Sequence, residues 1–370
     1  MGSRSSKGFV LLSALLTSAT VAHAASDVAL FGVLDTGMVY RSNQAGAGGG
    51  GGLVALGSGF WSPSFWGIKG DEDIGGGTKV IFSLVSTINV SNGVGGNNTR
   101  MFDRNAYVGA SNDQFGTVTL GRNYTPLAEL FWATDPLRAS NAATNMNVAF
   151  GYLGIPGSAI TTHFGTDATT TGNSLDRQDN SIKYAYANRG VTAEAMYGFS
   201  GVGGNFRGNS SAGGQVGYDG GIVTLRGAAM QFRDAGGVDL NAFAAGGVVS
   251  LGTVQLRATW TQNKINSGDV GYANLKTSVY SGGVSWFVTP FLDLTLAYYR
   301  GQRTSDASPK SVANKGYFVT EYFLSKRTEL IGLLELERFN ANGATLDTGT
   351  PLRAGARSAY QIAIGIDHKF

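Results

Sequence analysis

Residues 359–370 read AYQIAIGIDHKF and end on an aromatic side chain. Counting back from Phe370, one side of the extended chain carries His368, Ile366, Ile364, Ile362 and Tyr360. The other carries Lys369, Asp367, Gly365, Ala363 and Gln361. A period of two is the mark of a strand with two unlike faces. In a soluble sandwich the apolar face would turn inward onto a core; in a membrane barrel it would turn outward onto lipid, with the polar face lining the lumen.

The same alternation recurs upstream. DVALFGVLDTGMVYR (27–41) sets Val28, Leu30, Leu34, Met38 and Tyr40 against Asp35 and Arg41. RQDNSIKYAY (177–186) sets Ile182, Tyr184 and Tyr186 against Arg177, Asp179, Ser181 and Lys183, and VTAEAMYGF (191–199) sets Val191, Ala193, Ala195, Tyr197 and Phe199 against Thr192, Glu194 and Met196. About sixteen such segments can be marked, each roughly the nine to eleven residues that a tilted strand needs to cross a bilayer.

The connections alternate between tight and long. Short turns are read near Asp73, Asp113, Arg189, Asp219, Leu251, Pro290 and Lys326. Between them come the glycine run from Gly46 to Gly52, an Asn-rich stretch around Asn97, and polar segments near Gly204, Ser267, Ser305 and Gly343. Short turns at one rim and long loops at the other describe an outer-membrane barrel, whereas a sandwich gives no reason for loop length to follow parity. The fold expected is all-β: a transmembrane antiparallel β-barrel of about sixteen strands.

The first residues, MGSRSSKGFVLLSALLTSATVAHA, place Arg4 and Lys7 ahead of an apolar stretch that closes in Ala22-His23-Ala24. This pattern predicts a secretory signal peptide over 1–24, leaving one barrel domain over 25–370. No later run reaches the about 18 apolar residues of a membrane helix, although 42% of the chain is hydrophobic and only 14% charged. The 56 glycines, 15 tyrosines and 20 phenylalanines favour strands and turns. Without cysteine no disulfide framework can hold the chain, so something else has to, such as a closed hydrogen-bonded sheet. A formal charge of +3, or +1 without Arg4 and Lys7, suggests no nucleic-acid partner.

Catalytic constellations are equally lacking in the pattern. There is no G-x-S-x-G elbow, and His23, His163 and His368 fall in the leader, a loop and the terminus, so neither a hydrolase nor a metal site is expected. The glycine run lacks the Lys-Ser/Thr ending of a phosphate loop. Tyr184, Tyr186, Tyr298 and Tyr299 read as girdle residues at the membrane interfaces. One connection stands apart: about fifty residues, 125–176, with weak periodicity, a length that usually marks function. It holds Glu129, Asp135, Arg138 and His163.

In order along the chain, VALFGVLDTGMVY, FWGIKGDEDIGGGTKVIF, RNAYVGASNDQFGTVTLGRNYTP, RQDNSIKY, SKRTEL and the terminal Phe370 resemble the trimeric general porins of Gram-negative bacteria. The likeness is strongest to the beta-proteobacterial (Neisseria and Burkholderia type) branch. The resemblance implies a homotrimer of sixteen-stranded barrels in the outer membrane, in contact with lipid and lipopolysaccharide, and a long third loop folded into the lumen as a constriction. It implies passive diffusion of small hydrophilic solutes and ions without a cofactor. It also makes the strand ending in Phe370 a signal for the barrel-assembly machinery.

Carried over by motif, the basic side of the constriction would be Arg104 and Arg177, with Lys69, Lys79 and Lys183 on lumen-facing parity. Arg122 resembles a recurrent arginine whose parity is unclear. Glu129 and Asp135 would be the acidic counterpart on the loop. The chain departs from the resemblance at Phe65, where an arginine is common, and at Val85, where an acid is common. Phe65 shares a face with Lys69, so a locally less positive, more apolar wall is expected. The basic residues still outnumber the acidic ones, which suggests a weak anion preference. A channel selective for organic acids or another small nutrient, and a barrel whose external loops act in adhesion or receptor binding, are the alternatives.

Overall fold

The computed structural model describes residues 26–96, 100–140, 145–147, 164, 175–267, 273–340 and 351–370. The expected leader, His163, most of the long segment and the residues around Gly343 lie outside that set.

The strands are β1 (Ser26–Gln44), β2 (Gly51–Ser58), β3 (Phe65–Gly75), β4 (Thr78–Thr87), β5 (Asn105–Asn112), β6 (Gly116–Tyr124), β7 (Arg177–Asn188), β8 (Val191–Gly198) and β9 (Ser211–Asp219). They continue with β10 (Val223–Arg233), β11 (Asp239–Leu251), β12 (Val254–Ile265), β13 (Lys276–Thr289), β14 (Leu292–Ser305), β15 (Ser308–Phe323), β16 (Thr328–Phe339) and β17 (Ser358–Lys369). Every neighbouring pair is antiparallel, and β17 returns to β1 with Lys369 opposite Val33 and Gln361 opposite Arg41. The ring therefore has no free edge, which is the condition for a sheet to sit in hydrocarbon. β2 and β3 lie end to end along the same side of β1, Ser58 opposite Thr36 and Phe65 opposite Val33. They are two halves of one stave, so the 17 segments close a barrel of sixteen staves.

The faces divide as the period of two predicts. On β17, Ile364 is 69% exposed and Tyr360, Ile362 and Ile366 are exposed with it, while Gln361, Ala363 and Asp367 are buried. On β1, Val28, Leu30 and Met38 are exposed and Asp35 and Arg41 are buried. Apolar side chains outside and charged ones inside are stable only where the outer medium is lipid. Leu296, exposed near the middle of β14, tests this orientation. Leu296→Arg is expected to lower stability by about 2–4 kcal/mol, the depth-dependent cost of a charge on the lipid face, read from the urea midpoint of the protein refolded into vesicles.

Phe370 completes the seam. Its backbone N–H donates to the Gly32 carbonyl at 3.1 Å, and Gly32 N–H donates back at 3.2 Å. Glycine is required opposite it, because a Cβ on Gly32 would stand 2.6 Å from the Phe370 ring.

The turns at one rim are tight. Between β7 and β8 only Arg189 and Gly190 intervene, both with positive φ (49° and 84°), the conformation that matches the twist of a two-residue hairpin. One connection at the other rim corrects the sequence reading. The segment near Ser305, expected to be a long loop, is the two-residue turn Asp306-Ala307, because Ser305 still pairs with Ser308 and the hairpin itself extends outward.

A second feature was not foreseen. Residues 59–64, between β2 and β3, fold inward instead of continuing the stave. Asp35 organises them: its carboxylate accepts from Trp61 N–H (3.3 Å) and Ser62 N–H (3.1 Å), and Ser64 Oγ bonds both its N–H and its carbonyl at 2.9 Å. The Phe60 ring fills the space left by inward-facing Gly37 and Gly365.

Candidate functional site

The long segment starts with a helix. In α1 (Pro126–Thr134), Thr125 is the N-cap, its Oγ1 accepting from Ala128 N–H at 3.5 Å, and Pro126 stands at the first helical position, where its missing N–H costs nothing. Glu129 lies in the first turn, favoured by the helix dipole. The helix stops at Asp135 because Pro136 forces the preceding residue out of the helical region.

α1 packs on β9–β12, against the face that carries Met230, Phe232, Leu240 and Ala242. That face is opposite the exposed Leu225 and Phe243. Polar contacts fix the helix end: Arg257 Nη1 donates to the Ala133 carbonyl at 2.9 Å, and Thr134 and Thr259 hydroxyls meet at 3.0 Å. Two wall glycines make room. A Cβ on Gly246 would stand 2.4 Å from Thr134 Oγ1, and one on Gly283 would stand 2.8 Å from Pro136 Cβ.

Asp135 is placed differently from its expected role facing the pore. It is fully buried and accepts from Leu137 N–H and Ala139 N–H (both 2.9 Å), Asn145 Nδ2 (3.1 Å), Asn147 Nδ2 (2.8 Å) and the Tyr299 hydroxyl (3.1 Å). Burial raises its carboxyl above the ordinary range, and these donors pull it back. Asp135 ties the segment to the wall. Tyr299 is its partner on β14 and so is no girdle residue; adjacent strand residues face opposite sides, and Tyr298 is the exposed one.

Glu129 does meet the wall. Lys183 Nζ lies 3.0 Å from Glu129 and 3.1 Å from Glu194 of β8. Arg122 is turned inward by a break in the β6–β7 register at Gly121, whose φ is 137°. Its Nη1 pairs with Asp179 at 2.7 Å and its Nε donates to the Asp103 carbonyl at 2.7 Å. Arg177 pairs with Asp176 at 3.1 Å and lies 4.7 Å over the Tyr124 ring. Lys79 is one residue from the β3–β4 turn and pairs with Asp71 at 2.8 Å, which puts it at the rim. Among the basic residues carried over, Lys69 and Arg104 alone have no carboxylate partner among the described residues. Each instead caps a ring, Lys69 at 4.8 Å from the centre of Phe31 and Arg104 at 5.0 Å from that of Phe65.

Of these side chains, Arg104, Arg177, Asp176 and the rings of Phe31, Phe65 and Tyr124 border a cavity of about 820 Å³ inside the barrel. One wall carries Phe31, Phe65, Arg104, Tyr124 and Arg177, with Trp132 reaching in from α1; the far wall carries Glu321 and Glu329. That acidic wall was missed in the sequence. Arg138, from the long segment, pairs with Glu321 and lies 3.2 Å from Asp293. The polarity there is reversed, with the loop basic and the wall acidic. The signal in the sequence was the inward parity of Asp293 and Glu321, legible only once the strand register is known.

A closed antiparallel barrel with apolar residues outside and charged ones inside has the architecture of outer-membrane barrels, and a family model for Gram-negative porins matches residues 11–344. The chain belongs to the Gram-negative porin family. Porins are channels of the outer membrane, and that is where this protein resides. This porin is 29% identical to outer membrane porin protein 32 of Delftia acidovorans over 370 residues, covering 96% of this chain and 98% of that one. It is also 29% identical to an outer membrane porin of Bordetella pertussis over 161 residues, a match that spans 41% of that protein. The structure of an anion-selective porin from Comamonas acidovorans superimposes with a TM-score of 0.73 at 27% identity, covering 93% of this porin and all of that chain.

Proposed function

We propose that this porin passes small hydrophilic solutes and ions by passive diffusion, with a weak preference for anions, through a lumen narrowed by segment 125–176. The observation that carries this reading is the pair of inward cations Lys69 and Arg104, which have no carboxylate partner among the described residues. Arg122, Arg177 and Lys183 are neutralised locally and add less to the field. Arg104 on one wall faces Glu321 and Glu329 on the other, where the carboxylates, with Asp293 and Asp367, outnumber their partners Arg138 and Lys369, so a transverse field remains. Such a field orients dipolar solutes and disfavours apolar ones. The anion-selective Comamonas porin supports the sign.

The pore sorts without chemistry, so no reaction is assigned to it. A homotrimer in contact with lipopolysaccharide is the assembly proposed from the family resemblance, and Phe370 is its proposed signal to the assembly machinery. Swelling of proteoliposomes in isotonic sugars of increasing size tests diffusion. Rates are expected to fall smoothly with solute size, and absence of swelling in the smallest sugar would contradict the reading.

A further inference from the structure

A wall that only had to stay wet would not need phenylalanine, yet Phe65 and Phe31 meet edge to face in the lumen, with centroids 6.1 Å apart at 71°. Three staves further along the same cavity, Tyr124 and Trp132 meet at 4.5 Å and 71°, and Trp132 remains 38% exposed. Each of these two aromatic pairs carries a cation. Arg177 is committed to Asp176, but Arg104 holds only the Phe65 face among the described residues and keeps its N–H groups for an incoming anion. A guanidinium offers a planar fork that matches a carboxylate, and an aromatic strip offers stacking and edge contacts to a flat ring.

We propose that this cavity is a selectivity site for aromatic monocarboxylates, with the ring on the wall of Phe65, Tyr124 and Trp132 and the carboxylate on Arg104. Two further features narrow the class. Glu321 and Glu329 face the same cavity, and with Asp293 and Asp367 they outnumber their cation partners Arg138 and Lys369, so this wall keeps a negative excess that disfavours a second carboxylate. The space of about 820 Å³ is several times that of a one-ring acid, so a bound ring slows the ion current without sealing the pore. The proposal rests on the porin reading above.

The test is block of potassium chloride current through the full-length protein in planar bilayers by benzoate, cyclohexanecarboxylate, acetate and terephthalate. Benzoate is expected to half-block at a concentration about tenfold below acetate and several-fold below cyclohexanecarboxylate, the scale of one favourable aromatic contact. Terephthalate should block less well than benzoate. Phe65→Leu should abolish the benzoate advantage over cyclohexanecarboxylate, Phe65→Tyr should restore it, and Arg104→Gln should weaken all the carboxylates alike. Trp132→Leu supplies the same comparison if Phe65→Leu does not fold. Equal block by benzoate and cyclohexanecarboxylate, or an unchanged benzoate advantage in Phe65→Leu, would overturn the proposal while leaving the porin reading intact. No potassium chloride current from the unmodified protein would overturn both.

Discussion

Asp135→Ala is expected to raise single-channel conductance, make the open current noisy and lower heat stability. The carboxylate is fully enclosed and gathers donors from its own turn, from Asn145 and Asn147 beyond it, and from Tyr299 on β14. Removing it takes a shared acceptor from all of those donors, although Leu137 N–H keeps the Tyr299 hydroxyl oxygen and Asn147 Nδ2 keeps Ser281 Oγ. Leaving a buried donor unsatisfied costs about 1–3 kcal/mol, and several donors are affected at once, which is a large share of the stability of any single loop. The apolar contacts of α1 with Met230, Phe232 and Leu240 remain, so the barrel should still assemble and the defect should appear in residues 135–147. Asp135→Asn, which keeps the shape and one acceptor, should fall between the two. Conductance traces and the temperature at which the folded form converts on denaturing gels are the readouts; wild-type conductance and heat stability in Asp135→Ala would mean that the anchor lies elsewhere.

Arg104→Glu is expected to cancel or invert the ion preference. Arg104 lines the cavity, and its charge is offset by no carboxylate among the described residues. A monovalent ion passing about 4 Å from it interacts by about 1 kcal/mol in a water-like medium. Exchanging the sign acts on both ions of the salt, so after screening the chloride-to-potassium permeability ratio should fall by about tenfold. Lys79→Glu, at the rim and facing Asp71, should change the ratio far less. Zero-current potentials under a potassium chloride gradient distinguish the two, and equal shifts would contradict a filter centred on Arg104.

Much of this fold was legible because period two survives in a lipid-facing strand: Ile362, Ile364 and Ile366 stand outside and Gln361 and Asp367 inside, as their spacing predicts. The inward fold at 59–64 was not legible. It depends on Asp35 meeting Ser62 and Ser64 across β1 and on Gly37 and Gly365 leaving a hole for Phe60, and neither relation is local in sequence. Arg122 was ambiguous for a physical reason, since the register break at Gly121 shifts parity within its own strand. The charges of the lumen were visible one by one, but their pairing was not. Glu129 reaches Lys183 as one turn of helix allows, whereas Asp135, only six residues on, is withdrawn into the wall. By its sequence position Phe65 is only a missing positive charge; its contact with Arg104 depends on the β3–β4–β5 register that brings the two together.

The most direct test of a charged, water-filled, anion-favouring lumen is the zero-current potential of the purified porin in planar bilayers under a potassium chloride gradient. Ohmic openings with a potential of the sign set by chloride are expected. A potential of the opposite sign, or membranes that stay closed, would contradict it.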